Sequence, residues 1–573
     1  VVRLIPGWLA HYPKDKLGAD VAAGLIVTIL VIPQSLAYAL LAGLPPQLGL
    51  YVSIFPVIAY ALLGSSMVQA VGPVAITAIM TYSVLSPLAT PTTPGYIMLA
   101  AALSLLSGLM LLACGLLRLG FMSQLLSRPV ISGFISGSAV LIVISQLKYL
   151  FGITPQGESS GEVLLDLLVR LGESHLPTLA IGLTGLILLL VVRLVLTGWL
   201  VRAGLSAGRA AFVARLMPLL IVLAGLAAVI AFDLDRLHGV DVVGGVVTGL
   251  PEFKFFLPGM DTVQQLLRPA FVMALIGMVQ GITMAQALAI KRRERIDANA
   301  ELVGLGAANV VAAFYGGMPV GGGTSRSAIN VAAGAQTPLA SILSALVMIG
   351  VVAGAAQWFE RLPLAVLAAS IIVAALSMID LRALRQAWAY DRADALALLC
   401  TAGGVLLFGL EAGIGLGIVL SMATLLYRVS TPHIAVVGRV PGTEHFRNVV
   451  RYEVETLPDV LFVRIDERLF FGNLAAVEQR LEQELTRSET LRHLVLVMNG
   501  VNLMDTTAVE VFAELNEDLA ERGIKLHLAE VKGPVQDRLM KSVFWKALTG
   551  EVFLSANAAY EKLAPAKVWC PEI

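Results

Sequence analysis

Residues 316–330 read GGMPVGGGTSRSAIN. Gly316, Gly317, Gly321, Gly322, Gly323 and Pro319 break the backbone between two long apolar segments, and Arg326 follows with no acid beside it. At bilayer depth such backbone is tolerated only where it is buried in protein or lines a wet cavity. The stretch therefore predicts an interrupted membrane helix whose fresh start carries a positive charge.

The surrounding chain supplies the membrane. Of its 573 residues 57% are hydrophobic and 14% charged, and the mean hydropathy is +0.83. Soluble domains carry roughly 25% charged residues, so a soluble class is excluded. Zero formal net charge gives no basis for binding nucleic acid. Cys114, Cys400 and Cys570 have neither disulfide nor metal-ligand spacing, and no metal or other cofactor is expected. The membrane-depth polar residues offer no nucleophile–base pair, which argues against an enzyme. The first apolar run, 21–42, is long enough to span rather than be cleaved as a signal peptide.

About 20 apolar residues cross the hydrocarbon core. Fourteen candidate spans run from 21–42 to 411–428, with 47–63, 70–86, 267–290, 300–315, 324–336 and 394–409 among them. An even count puts both termini on one side. With the N-terminus inside, the inner segments hold sixteen Lys and Arg, including the KRRER run at 291–295. The outer loops hold four: Arg170, Arg236, Lys254 and Arg361. The excess of basic residues belongs in the cytoplasm, so both termini are expected there.

After Arg428 the apolar runs stop. From about 457, DVLFVRIDERLFF and LRHLVLVMNG read as strands around the amphipathic NLAAVEQRLEQELTR. The helix TTAVEVFAELNEDLAERG, the strand IKLHLAE and a closing helix follow. Alternating strand and helix periods indicate an α/β domain. The expected division is an N-terminal segment 1–20, a membrane domain 21–428, a linker 429–456, the α/β domain 457–565 and a tail 566–573.

The two halves of the membrane region match. Gln34 in VIPQSLAYALL precedes Pro73 in QAVGPVAIT by 39 residues, and Gln280 in GMVQGITMAQALA precedes Pro319 by 39. Spans one to seven and eight to fourteen start on opposite sides, so the repeat is inverted. Paired interruptions in corresponding places point to a transporter's binding site. Helix starts near 74 and 324 would meet near the midplane from opposite sides. Their free N–H groups and positive dipole ends favour an anion. A central arginine costs about 3 kcal/mol on insertion scales, which an anion or cavity water would offset. Each piece has a plainer reading as well. The Gly-Pro run could be a packing kink, Arg326 could pair with Glu301 or a lipid phosphate, and Gln34 and Gln280 could be interhelical glue.

IPQSLAYALLAGLPPQLGLYVSIFP, AVGPVA, LSRPVISGFISGSAVLIVISQLKYLFGI and TSRSA resemble, in that order, the sulfate permease family of anion transporters, also called solute carrier 26. The tail resembles that family's STAS domain. The resemblance covers about 15 to 565. It implies a polytopic α-helical membrane protein of fourteen spans, a 7+7 inverted repeat divided into core and gate domains, with a cytoplasmic STAS domain. It also implies an elevator-like movement of core against gate, a homodimer, and an anion site between spans three and ten. By position that site would use Gln34, Tyr38, the backbone at Val74 and Ala75, Gln280, and Thr324 and Ser325, with Arg326 behind.

Many relatives carry an acid where this chain has Gln280, an acid linked to proton or sodium coupling. Glutamine does not titrate and is a poorer cation ligand than a carboxylate. Met284, one turn on, also brings no hard oxygen ligand. Weak or absent sodium dependence is therefore expected, and a more positive site that suits a divalent anion. Sulfate is the favoured substrate, with bicarbonate, chloride, a dicarboxylate or channel-like conduction as alternatives. In the tail, Asp505 reads as a helix cap. Thr506 and Thr507 are candidate regulatory hydroxyls, through which a cytoplasmic regulator would act. The short loops suggest a bacterial inner-membrane protein.

Overall fold

Apolar helices dominate because a chain in lipid must satisfy its backbone internally. The computed structural model describes residues 7–10, 12–124, 127–157, 160–245, 249–354, 356–487 and 490–564. The chain divides into two units at Ser421/Met422.

In the first unit, helices stand at each expected span. They are α1 (Leu17–Leu41), α2 (Pro46–Tyr51), α3 (Phe55–Leu63), α4 (Ala75–Leu85), α5 (Pro94–Leu116), α6 (Arg128–Phe151), α7 (Leu176–Val191) and α8 (Ala207–Phe232). The second half supplies α9 (Met260–Arg292), α10 (Ala298–Tyr315), α11 (Thr324–Ala332), α12 (Leu339–Gly354), α13 (Leu364–Leu376), α14 (Arg392–Phe408) and α15 (Leu410–Ser430), the last of which runs across the division. Among the described residues eight helical segments, with Pro46–Leu63 taken as one, are long and apolar enough to cross a membrane, and three further apolar helices are shorter. Expected span 47–63 is two helices, α2 and α3, each opened by a proline in its first turn. Pro is tolerated there because that N–H has no helical partner. Expected span 70–86 is helical only from Ala75. Before it lies β1 (Val71–Gly72), which pairs antiparallel with β2 (Gly321–Gly322).

Helix packing in this unit forms two groups, each drawing on both halves of the sequence. In the first, α5 and α3 pack on α10, α9 packs on α5, and α1 packs on α12. In the second, α14 and α13 pack on α6, and α7 packs on α13 and α8. Arg361 clasps the latter group through Asp233, at 2.7 Å, and Asp235.

The second unit is a six-stranded sheet in the order β4-β3-β5-β6-β7-β8. Its strands are β3 (Ile434–Arg439), β4 (Phe446–Asn448), β5 (Val460–Ile465), β6 (His493–Val497), β7 (Lys525–Ala529) and β8 (Val552–Phe553). β5 to β8 run parallel, and β3 and β4 add an antiparallel edge from within 429–456. Strand residues alternate between two cores. Val463, Leu494, Leu496 and Leu526 meet α16 (Leu474–Leu485) and α17 (Thr506–Glu521), while Phe462 and Val495 meet Tyr560 of α18 (Ala556–Leu563). Helices on both faces explain why these strands read as continuous apolar runs.

Candidate functional site

Two helix starts face each other across the β1–β2 pair. Val74 and Gly323, both extended, are the caps of α4 and α11. Neither cap residue makes a side-chain hydrogen bond to its helix start. Val71 lies opposite Gly322 and Gly72 opposite Gly321, fixing the two starts to one another.

Buried polar side chains hold this crossing. Asn309 of α10 accepts the Val320 N–H and donates to the Val320 carbonyl, both at 2.9 Å. From the other side, Ser327 accepts the Ala70 N–H at 3.0 Å, and Asn330 donates to the Val68 carbonyl at 2.9 Å. Thr77 donates to the Pro319 carbonyl at 3.3 Å. Sequence reasoning missed these positioning residues. The available signal was an asparagine or serine amid apolar helix, where an uncompensated polar group is costly.

Arg326 is 5% exposed. Its partners are Ser35 Oγ at 3.1 Å and Ser53 Oγ and the Val71 carbonyl at 3.4 Å, with no carboxylate among them. Its guanidinium lies over Gly72, where any Cβ would be 2.0 Å from Nη1, so a larger residue would have to displace the guanidinium. Glu301, the acid weighed as its partner, is engaged elsewhere. It accepts from Tyr60 Oη at 2.6 Å, Ser65 N–H at 2.9 Å, Ser65 Oγ at 2.8 Å and Ser66 N–H at 2.8 Å. The positive charge of Arg326 therefore remains uncancelled by any carboxylate among the described residues.

Gln34 is half-buried on α1, one turn before the buried Tyr38. Val74 and Ala75 are buried at the start of α4. Gln280 lines a narrow cavity with Ile76, Val130, Phe134, Val279 and Ile414, between helices of the two packing groups. Its Oε1 is buried with no hydrogen-bond partner. Thr324 and Ser325 open α11, but their side chains lie outside the described residues. In the second unit Asp505 caps α17 by accepting the Ala508 N–H at 2.8 Å, and also accepts the Phe471 N–H at 3.0 Å. Thr506 and Thr507 are exposed beside it.

The model of the sulfate permease family matches residues 17–401, and that of the STAS domain matches 451–559. The chain belongs to the sulfate permease family. It is 33% identical over 531 residues to a "Probable sulfate transporter" of Mycobacterium tuberculosis, covering 92% of each chain. It is 33% identical over 536 residues to "Probable sulfate transporter 4.2" of Arabidopsis thaliana, covering 91% of this chain and 77% of that one. Its fold is shared with a murine solute carrier 26 member A9 anion transporter, at TM-score 0.87, 22% identity, and 98% and 94% of the two chains. The transmembrane domain of a cyanobacterial bicarbonate transporter, BicA, superposes at TM-score 0.60 and 23% identity. That match covers 70% of this chain and 98% of the other. This sulfate permease chain thus joins a helical membrane region to a STAS domain.

Proposed function

We propose that the protein is a secondary transporter of small anions, with sulfate its principal substrate. The observation that carries this reading is the uncancelled Arg326 beside two helix starts pinned together by β1 and β2. Such a pocket is positive before any ligand arrives, and it offers backbone N–H donors to an oxyanion. Gln34, Tyr38, Val74, Ala75, Gln280, Thr324 and Ser325 are the proposed contacts, with Arg326 behind. The names borne by the similar transporters of Mycobacterium and Arabidopsis support sulfate.

In this reading the first packing group is the core and the second the gate. The core carries the anion past the gate by elevator-like movement, in a homodimer of a cell inner membrane with both termini and the STAS domain in the cytoplasm. A cytoplasmic regulator would act on the STAS domain near Thr506 and Thr507. The division of the chain is proposed as 1–20, 21–428, 429–456, 457–565 and 566–573.

Purified protein in liposomes should take up labelled sulfate, with unlabelled sulfate competing better than bicarbonate, chloride or dicarboxylates. Arg326→Ala and Ser325→Phe should reduce uptake at least about tenfold, the scale of about 1.4 kcal/mol in binding. Normal transport by both variants would move the site elsewhere. Large unitary currents in a planar bilayer would favour a channel.

A further inference from the structure

The charge of Arg326 is solvated without being neutralised, and the means is a chain of hydroxyls. Nη2 donates to Ser35 Oγ at 3.1 Å, and Nη1 donates to Ser53 Oγ at 3.4 Å. The two hydroxyl oxygens are 3.0 Å apart, and Ser53 donates onward to the Gly49 carbonyl at 2.9 Å. A guanidinium only donates, so both oxygens face it as acceptors. Ser53 spends its proton on Gly49, which leaves Ser35 to donate to Ser53. The chain then has one direction, from Arg326 through Ser35 and Ser53 to a backbone carbonyl. Ser35 is 0% exposed and Ser53 4%, so water does not substitute for either. A carboxylate at either position would cancel the charge, whereas hydroxyl dipoles hold it in place and leave its field intact. Close backbone contact keeps the two serines adjacent: a Cβ at Gly49 would lie 1.9 Å from the Ser35 carbonyl oxygen.

We infer that Ser35 and Ser53 are positioning residues that fix the distance from the Arg326 charge to the bound anion, and thereby set the preference for divalent over monovalent anions. The inference rests on the anion site proposed above. Coulomb energy scales with the anion's charge and falls with distance. A guanidinium allowed to withdraw by about 1 Å would weaken a monovalent anion about threefold and a divalent one by the square, about tenfold. Serines that merely pack two helices would not sort anions by valence.

The test uses the full chain in liposomes, with Ser35→Ala, Ser53→Ala and Ser35→Thr, each checked for monodispersity. Ser35→Ala should raise the KM for sulfate about tenfold with Vmax within about twofold of wild type, and Ser35→Thr, which keeps the hydroxyl, should restore the KM. Inhibition of sulfate uptake by excess chloride should strengthen relative to self-competition by sulfate, about threefold. If Ser35→Ala does not fold, Ser53→Ala, which removes the more weakly bonded hydroxyl, should show the same pattern at about threefold in KM. A lower Vmax at unchanged KM, an unchanged sulfate-to-chloride ratio, or failure of folded Ser35→Thr to restore the KM would overturn the inference. Wild-type protein that takes up no sulfate would instead remove the anion-site reading itself.

Discussion

Asn309 holds both backbone groups of Val320, accepting its N–H and donating to its carbonyl at 2.9 Å each. Val320 precedes β2 directly, so this one carboxamide sets where the second interrupted segment enters the site. Truncation to Ala strands two buried backbone groups, each worth about 1–3 kcal/mol when left unpaired. Asn309→Ala should lower stability by about 3 kcal/mol, read as an earlier thermal transition in detergent. Asn309→Gln, with the right groups at the wrong reach, should recover little of it.

Gly72 gives a steric prediction. Its missing Cβ is the space that the Arg326 guanidinium occupies. Gly72→Ala should push the guanidinium off Ser35 and reduce sulfate uptake at least about tenfold, while the protein still reaches the membrane. Uptake within twofold of wild type would mean that the location of the charge is immaterial to transport.

Glu301 is a buried carboxylate that accepts four hydrogen bonds, three of them from Ser65 and Ser66 just ahead of β1. Hydrogen bonds to charged groups contribute about 1.5–3 kcal/mol each. Glu301→Ala should therefore cost about 3 kcal/mol or more and abolish accumulation of folded protein. Glu301→Gln should keep part of the fold, because its amide oxygen still accepts. Fluorescence-detected size exclusion separates these outcomes.

Gln280 predicts the ion dependence. With no titrating group there, sulfate uptake should be unchanged when sodium is replaced by choline. Gln280→Glu should introduce a pH dependence in which uptake rises as the new carboxyl is protonated, because the neutral acid no longer repels the anion. A flat pH profile in that variant would place Gln280 outside the anion's field.

The second unit predicts a different pH response. Burial first, then the neighbouring His493, pushes His527 down to about 4. His527 Nδ1 accepts the Glu551 N–H at 2.9 Å, so a proton there would displace β8 from its neighbour. The unfolded chain titrates near 6.5 and binds more protons than the native state between the two values. Stability is thus fully present above about pH 6.5 and lost as pH falls toward 4, by about 3 kcal/mol over that window. Hydrogen exchange of the β7 and β8 amides in the full chain should accelerate across it, and His527→Gln should flatten the response.

Much of this architecture was legible in the residues alone. Hydropathy located the helices because lipid leaves the backbone no other partner, and paired Gly/Pro breaks marked the crossing because only protein or a wet cavity accepts them. The α/β tail declared itself by period. What the residues in order did not reveal was which polar groups meet. Glu301 and Arg326 are only 25 positions apart, yet one binds the segment before β1 and the other the serines of α1 and the turn after α2. Ser35, Ser53, Asn309 and Ser327 read as unremarkable small polar residues. The roles of Ser35, Ser53 and Ser327 depend on contacts between segments 257 and more positions distant, such as Ser327 with Ala70 at 257, whereas Asn309 acts on Val320, 11 positions on. The sequence by itself determined that this chain lies in a membrane and interrupts itself there. Only the tertiary structure decided that the arginine at the break keeps its charge, because the acid that would have cancelled it is held by other donors.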